Sequence, residues 1–127
     1  MLGKVVHFEI PADDEKRAQA FYANAFGWQM NPVPGMSYTM VGTTPSDQTG
    51  VPTEAGAING GMMKRQPPFK GPVITVLVDE INTALENIQK LGGQVVSKKE
   101  PVGDMGFTAY FNDTEGNLIG LFQNAQR

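Results

Sequence analysis

The sequence predicts an α+β fold made of two βαβββ modules, module one at about residues 1–65 and module two at about 72–127. Three observations predict it. A short β-rich run leads into an acidic cap, an amphipathic helical stretch and a glycine stop. The same order returns 66 residues later without a gap, superposing His7 on Val73, Asp13 on Asp79, Ala18 on Ala84 and Gly27 on Gly93. Turn-bounded segments of strand length then follow each helix. Two copies at so long a period describe paired modules; a solenoid needs shorter and more numerous repeats. At 127 residues, 40% of them hydrophobic and 18% charged, the chain suits one domain with a real core.

In module one, Lys4 to Ile10 reads as a strand with unlike faces: Val6, Phe8 and Ile10 on one, Val5, His7 and Glu9 on the other. The apolar face suits packing under a helix, and the polar one suits a cavity or solvent. Pro11-Ala12 ends the strand. Asp13 or Asp14 then caps a helix at the positive end of its dipole. Ala18, Phe21, Tyr22, Ala25 and Phe26 follow at helical spacing, an aromatic stripe read as core, and Gly27 closes the helix. Met36 to Val41 and Ala57 to Met63 read as strands on either side of a polar loop, Gly42 to Gly56, which is expected to act as a lid or contact segment.

Gln66 to Pro72, with three prolines, reads as the linker. In module two, Val73 to Val78 is an apolar strand and Asp79-Glu80 the acidic cap. Ile81, Ala84, Leu85, Ile88 and Leu91 mark the helix, and Gly92-Gly93 its stop. Gln94 to Ser97, Gly106 to Phe111 and Leu118 to Gln123 read as three strands, the last two joined by a tight turn over Asp113 to Asn117. That acidic turn lacks the further ligands of a calcium loop.

Composition removes several classes of function. With Lys and Arg totalling 10 against 13 Asp and Glu, the net charge is −3, which predicts no nucleic-acid partner and no anionic membrane surface. There is no Cys, so disulfides, thiolate nucleophiles and Cys-ligated metals are excluded. The first ten residues include Lys4, His7 and Glu9, unlike the apolar core of a signal peptide, and no run nears the ~18 apolar residues of a membrane span. A cytoplasmic location is expected. His7 is the only histidine, so a catalytic triad would need it to meet Ser37, Ser46 or Ser97, none of which sits in a nucleophile elbow. No P-loop or dinucleotide fingerprint is present.

Val6-His7-Phe8-Glu9-Ile10, the acidic cap, Phe21-Tyr22 and Phe26-Gly27-Trp28 resemble the opening of vicinal-oxygen-chelate proteins, the superfamily of glyoxalase I, bleomycin-resistance proteins and extradiol dioxygenases. Asn112-Asp113 and Glu115-Gly116-Asn117, running into Leu118 to Phe122, resemble its final hairpin. The resemblance covers nearly the whole chain. It implies curled mixed sheets around a shared cavity, usually in a homodimer, with a divalent metal held by His, Gln or Glu from the first and last strands of each module. Such a metal polarises substrate oxygens as a Lewis acid. Carried onto this chain, the ligand positions fall on His7, on Gly60 or Gly61, on Val73 and on Gly120, and only His7 can coordinate. The resemblance therefore predicts no cofactor here.

The function expected on this basis is binding of a small hydrophobic or aromatic molecule. Strand parity places Val73 with Thr75 and Leu77, and Gly120 with Leu118 and Phe122, on the cavity side. His7 and Glu9 would be the polar anchors, and Tyr38, Met62 and Phe107 further lining residues. The alternative is a metal-dependent lyase, isomerase or dioxygenase with a rearranged metal site around His7. His7 and Glu9 could also form an acid/base couple across a ligand.

Overall fold

The computed structural model describes residues 3–125. Chain contacts divide it into two compact units, one running from His7 to Pro72 and the other from Val73 onward together with the leading residues through Val6. The first unit contains β1 (Val5–Ala12, whose first two residues group with the second unit), α1 (Glu15–Phe26), β2 (Gln29–Pro32), β3 (Tyr38–Gly42) and β4 (Gly60–Lys64). The second contains β5 (Val73–Leu77), α2 (Ile81–Lys90), β6 (Gln94–Val102), β7 (Gly106–Asn112) and β8 (Leu118–Asn124).

Both units have one topology. Strands run β2-β3-β4-β1 in the first and β6-β7-β8-β5 in the second, each with one parallel pair, β1 with β4 and β5 with β8. The fold is the α+β arrangement of two βαβββ modules that the sequence predicts, and the helices start 66 residues apart, at Glu15 and Ile81. One boundary differs. Gly3 and Lys4 hydrogen-bond to Leu77, so the start of the chain completes the second unit.

Local chemistry sets both helices. The Asp14 carboxylate accepts the Arg17 N–H at the start of α1, and Gly27 ends the helix in the left-handed region at φ 74°. Glu80 accepts the N–H groups of Asn82 and Thr83 at the start of α2, whose Ile81 and Leu85 are buried against Ala109 and Leu121. The aromatic stripe of α1 is only partly core. Ala18 and Tyr22 pack with Phe8, Trp28 and Met30 around Ala12, Val41 and Met62, but Phe21 and Phe26 are 61% and 63% exposed. At ~100° per residue the stripe spans roughly 140°, and these two rings occupy its flanks.

Three strand expectations also change. β2 was not legible, because Gln-Met-Asn-Pro has no period; its pairing with β3 creates it, with Met30 opposite Val41. β3 starts at Tyr38 because Val33 and Met36 close a turn through Gly35 at φ 76°. β6 continues to Val102 as an edge strand, with register shifts on both sides of Ser97.

Candidate functional site

Alternation along β1 decides which residues meet. Phe8 and Ala12 pack toward α1 with Met62 of β4 and Val41 of β3, so His7 and Glu9 project from the opposite, helix-free face of the sheet. Register brings Gly61 beside Glu9, and β3 brings Met40 beside Gly61. Tyr38 belongs to the same face as Met40, and its ring lies across Gly61. A Cβ built on Gly61 would come 1.8 Å from Tyr38 Oη and 2.2 Å from Cζ. Only glycine leaves the phenol its seat.

That phenol links two groups. Tyr38 Oη donates to Glu9 Oε2 at 2.9 Å and lies 3.1 Å from His7 Nε2. Because its one proton goes to the carboxylate, Tyr38 can only accept from His7, so Nε2 carries a proton. Burial pushes the His7 pKa below its ordinary 6.5, against the opposing pull of the Glu9 charge. At neutral pH the ring is therefore the Nε2–H tautomer with a lone pair on Nδ1. No hydrogen bond to Nδ1 forms among the described residues. Glu9 itself is only 6% exposed.

The other expected residues divide. Val73, Thr75, Gly120 and Phe122 share the helix-free face of the second unit's strands: Thr75 pairs with Gly120, and Leu77 with Phe122. There Thr75 Oγ1 would lie 2.8 Å from a Cβ on Gly120, with Tyr110 Cε1 at 3.3 Å. Met62 is a correction. It is fully buried on the α1 side, and Met63 takes the other face, because pairing sets Met62 beside Ile10 and Thr39 on the face that Phe8 and Val41 share. Phe107 is a second correction, since it packs with the α2-side cluster alongside Ala109 and Phe111. Gly60 also lies on the helix side, where a Cβ would come 2.5 Å from Phe8; Gly61 is the glycine that faces His7's neighbours.

Sequence reasoning missed Gly61's role and Tyr110. Tyr110 was recoverable, because taking Phe107, Ala109 and Phe111 as the apolar face of β7 leaves Thr108 and Tyr110 on the other. The seat of Tyr38 over Gly61 depends on pairing register, which no local pattern encodes. Among the described residues, no three His, Cys, Asp or Glu side chains come together as metal ligands.

Comparison with known proteins places this geometry in a family. Residues 4–44 match the family described as bleomycin resistance protein-like N-terminal. A glyoxylase-like domain-containing protein of Didymella fabae is 30% identical over 124 residues, covering 94% of this chain and 92% of that one. The chain belongs to the glyoxylase-like family. CFP32 of Mycobacterium bovis is 29% identical over 91% of this glyoxylase-like chain, which spans 43% of that longer protein. The fold matches a solved glyoxalase/bleomycin resistance protein/dioxygenase superfamily member from Vibrio splendidus 12B01, with a TM-score of 0.61 at 13% identity, covering 96% of this chain and 98% of that one. No helix among the described residues is long and apolar enough to cross a membrane.

Proposed function

We propose that this glyoxylase-like protein binds a small hydrophobic or aromatic molecule at the helix-free face of its first module, without a divalent metal. The single observation behind this reading is the Tyr38 phenol, bonded to both His7 and Glu9 and seated over Gly61. The donor set does not fit a divalent cation. β1 supplies one imidazole and the Glu9 carboxylate, both engaged by Tyr38, and no third His, Cys, Asp or Glu joins them among the described residues; the phenol fills the room that a β4 ligand would need; Val73 and Gly120 offer no donor atom. What the face does offer is a neutral imidazole whose Nδ1 accepts a hydrogen bond, beside an aromatic ring. That combination suits an apolar ligand carrying one hydroxyl or N–H donor, such as a phenol. A cytoplasmic setting, a homodimer and no nucleic-acid or membrane partner belong to the same reading.

The test has two arms. Protein incubated with nickel, zinc, manganese or ferrous iron and then desalted is expected to retain no stoichiometric metal by elemental mass spectrometry. A thermal-shift screen of substituted phenols is expected to give hits that His7→Ala abolishes while the variant stays folded. About one metal per chain, lost in His7→Ala, would overturn the proposal, as would hits indifferent to His7.

The hydrogen-bond chain favours a second, catalytic reading. An imidazolium formed by proton abstraction at Nδ1 would face the Glu9 charge through Tyr38, the arrangement a general base needs. Washing of solvent deuterium into an activated C–H of a ketone probe, absent in His7→Ala, would support this reading over simple binding.

A further inference from the structure

The second unit has a cleft of its own, lined by none of the His7-site residues. It measures about 450 Å³ and is lined by Glu80, Lys99, Asp104, Gly106, Phe107 and Gln123, among others. Its volume falls within the ~300–1,000 Å³ usual for small-molecule sites. Gly106 keeps one wall bare, since a Cβ there would lie 2.1 Å from the Gln123 carbonyl oxygen.

Each polar group in the cleft can be assigned. Glu80 is fully occupied, accepting from Asn82, Thr83 and Lys99, and its pKa is lowered to about 2, first by the Asn82 N–H. Lys99 Nζ lies 3.1 Å from Glu80 and 4.5 Å from the centre of the Phe107 ring, leaving ammonium protons unused. Gln123 is 4% exposed. Its Oε1 takes the Ile81 N–H at 2.9 Å, which fixes the amide's orientation, and its Nε2 makes no hydrogen bond among the described residues. Asp104 is exposed and forms no hydrogen bond or ion pair among the described residues.

We infer that this cleft binds a small, neutral, planar amide or ureide. A carbonyl oxygen suits the donors on Gln123 and Lys99, and an N–H suits the Asp104 carboxylate. Two carboxylates against one ammonium disfavour an anion. The Gln123 Nε2 donor has no protein partner among the described residues and is not sealed from solvent, so it is free to exchange water for a ligand, and the geometry points to a ligand carbonyl.

The experiment titrates the full-length ¹⁵N-labelled protein with nicotinamide, and then with benzoate as an anion of the same ring size. Nicotinamide is expected to shift the Gln123 side-chain amide signals and the Gly106 amide saturably. Its affinity should fall about tenfold in Lys99→Met and in Asp104→Ala. Asp104 is exposed, so Asp104→Ala remains informative if Lys99→Met fails to fold. The inference is overturned by the absence of a saturable Gln123 shift, by benzoate binding as well as nicotinamide, or by shifts confined to His7 and Tyr38. Because the two sites share no residue, loss of this one leaves the His7 reading intact.

Discussion

Gly61→Ala tests whether the Tyr38 seat is real. The new methyl would lie 1.8 Å from the phenol oxygen and 2.2 Å from Cζ, far inside contact distance, so the ring must leave. Its departure removes the Tyr38–Glu9 bond, to a charged acceptor, and the His7–Tyr38 bond. Central values of roughly 1.5–3 kcal/mol and roughly 0.5–1.5 kcal/mol give a loss of about 2–4.5 kcal/mol. Replacing glycine by alanine also restricts the unfolded chain, which offsets about 0.4–1 kcal/mol. The net destabilisation should be about 1–4 kcal/mol, read by urea unfolding followed through Trp28 fluorescence. In a Tyr38→Ala background the obstacle is gone, and the same substitution should cost under about 0.5 kcal/mol. Wild-type stability in Gly61→Ala, or an undiminished penalty in the Tyr38→Ala background, would refute the argument.

Nitrogen-15 spectra of the His7 ring at neutral pH should show the neutral Nε2–H tautomer; an Nδ1–H ring would mean that Tyr38 does not donate to Glu9. The folded state holds His7 below its ordinary 6.5, so on acidification the unfolded chain takes up this proton first. Its contribution to stability is complete above pH 6.5 and is lost as pH falls through the folded value, so unfolding free energy should decline there, less steeply in His7→Gln. Asp113 accepts the N–H groups of Glu115 and Asn117, and the Asn117 bonds above all hold its carboxyl below the usual range. Asp113→Ala should therefore speed hydrogen exchange at Asn117 before it affects β5, whereas unchanged exchange would show the turn to be held by its glycine alone. Phe26→Ser should leave stability within about 1 kcal/mol of wild type despite the stripe in which Phe26 sits, because the ring is 63% exposed.

What the sequence could reveal followed the range of each signal. The helices were legible because caps, stops and the 3.6-residue period are local: Asp14, Glu80 and Gly27 act within their own turns. The duplication was legible because strand, cap, helix and stop recur in order. β2 was not, since four residues without a period become a strand only when β3 pairs with them. The site behaved likewise. His7 and Glu9 follow from alternation on one strand. Met62 and Phe107 were misplaced because which face of a strand turns toward its helix is set by pairing and packing, and neighbouring side chains lie on opposite faces. Tyr38 over Gly61 joins two strands whose register is set by pairing, and no window along the chain contains it.

The bonds from Gly3 and Lys4 to Leu77 bear on how this chain can be cut. The repeat read along the sequence breaks at the linker before Val73, but the compact units break between Val6 and His7 as well. A fragment starting at Val73 carries a β5 whose last residue, Leu77, has lost the carbonyl of Lys4 and the N–H of Gly3 as partners. A fragment ending at Pro72 keeps Gly3 and Lys4 but has lost Leu77, their hydrogen-bond partner. Halves separated at the linker are thus mismatched pieces and not two small proteins. Severed halves recombine the missing bonds only by reassociating, whereas a circularly permuted chain that opens at Val73 and rejoins the old ends retains them within one molecule.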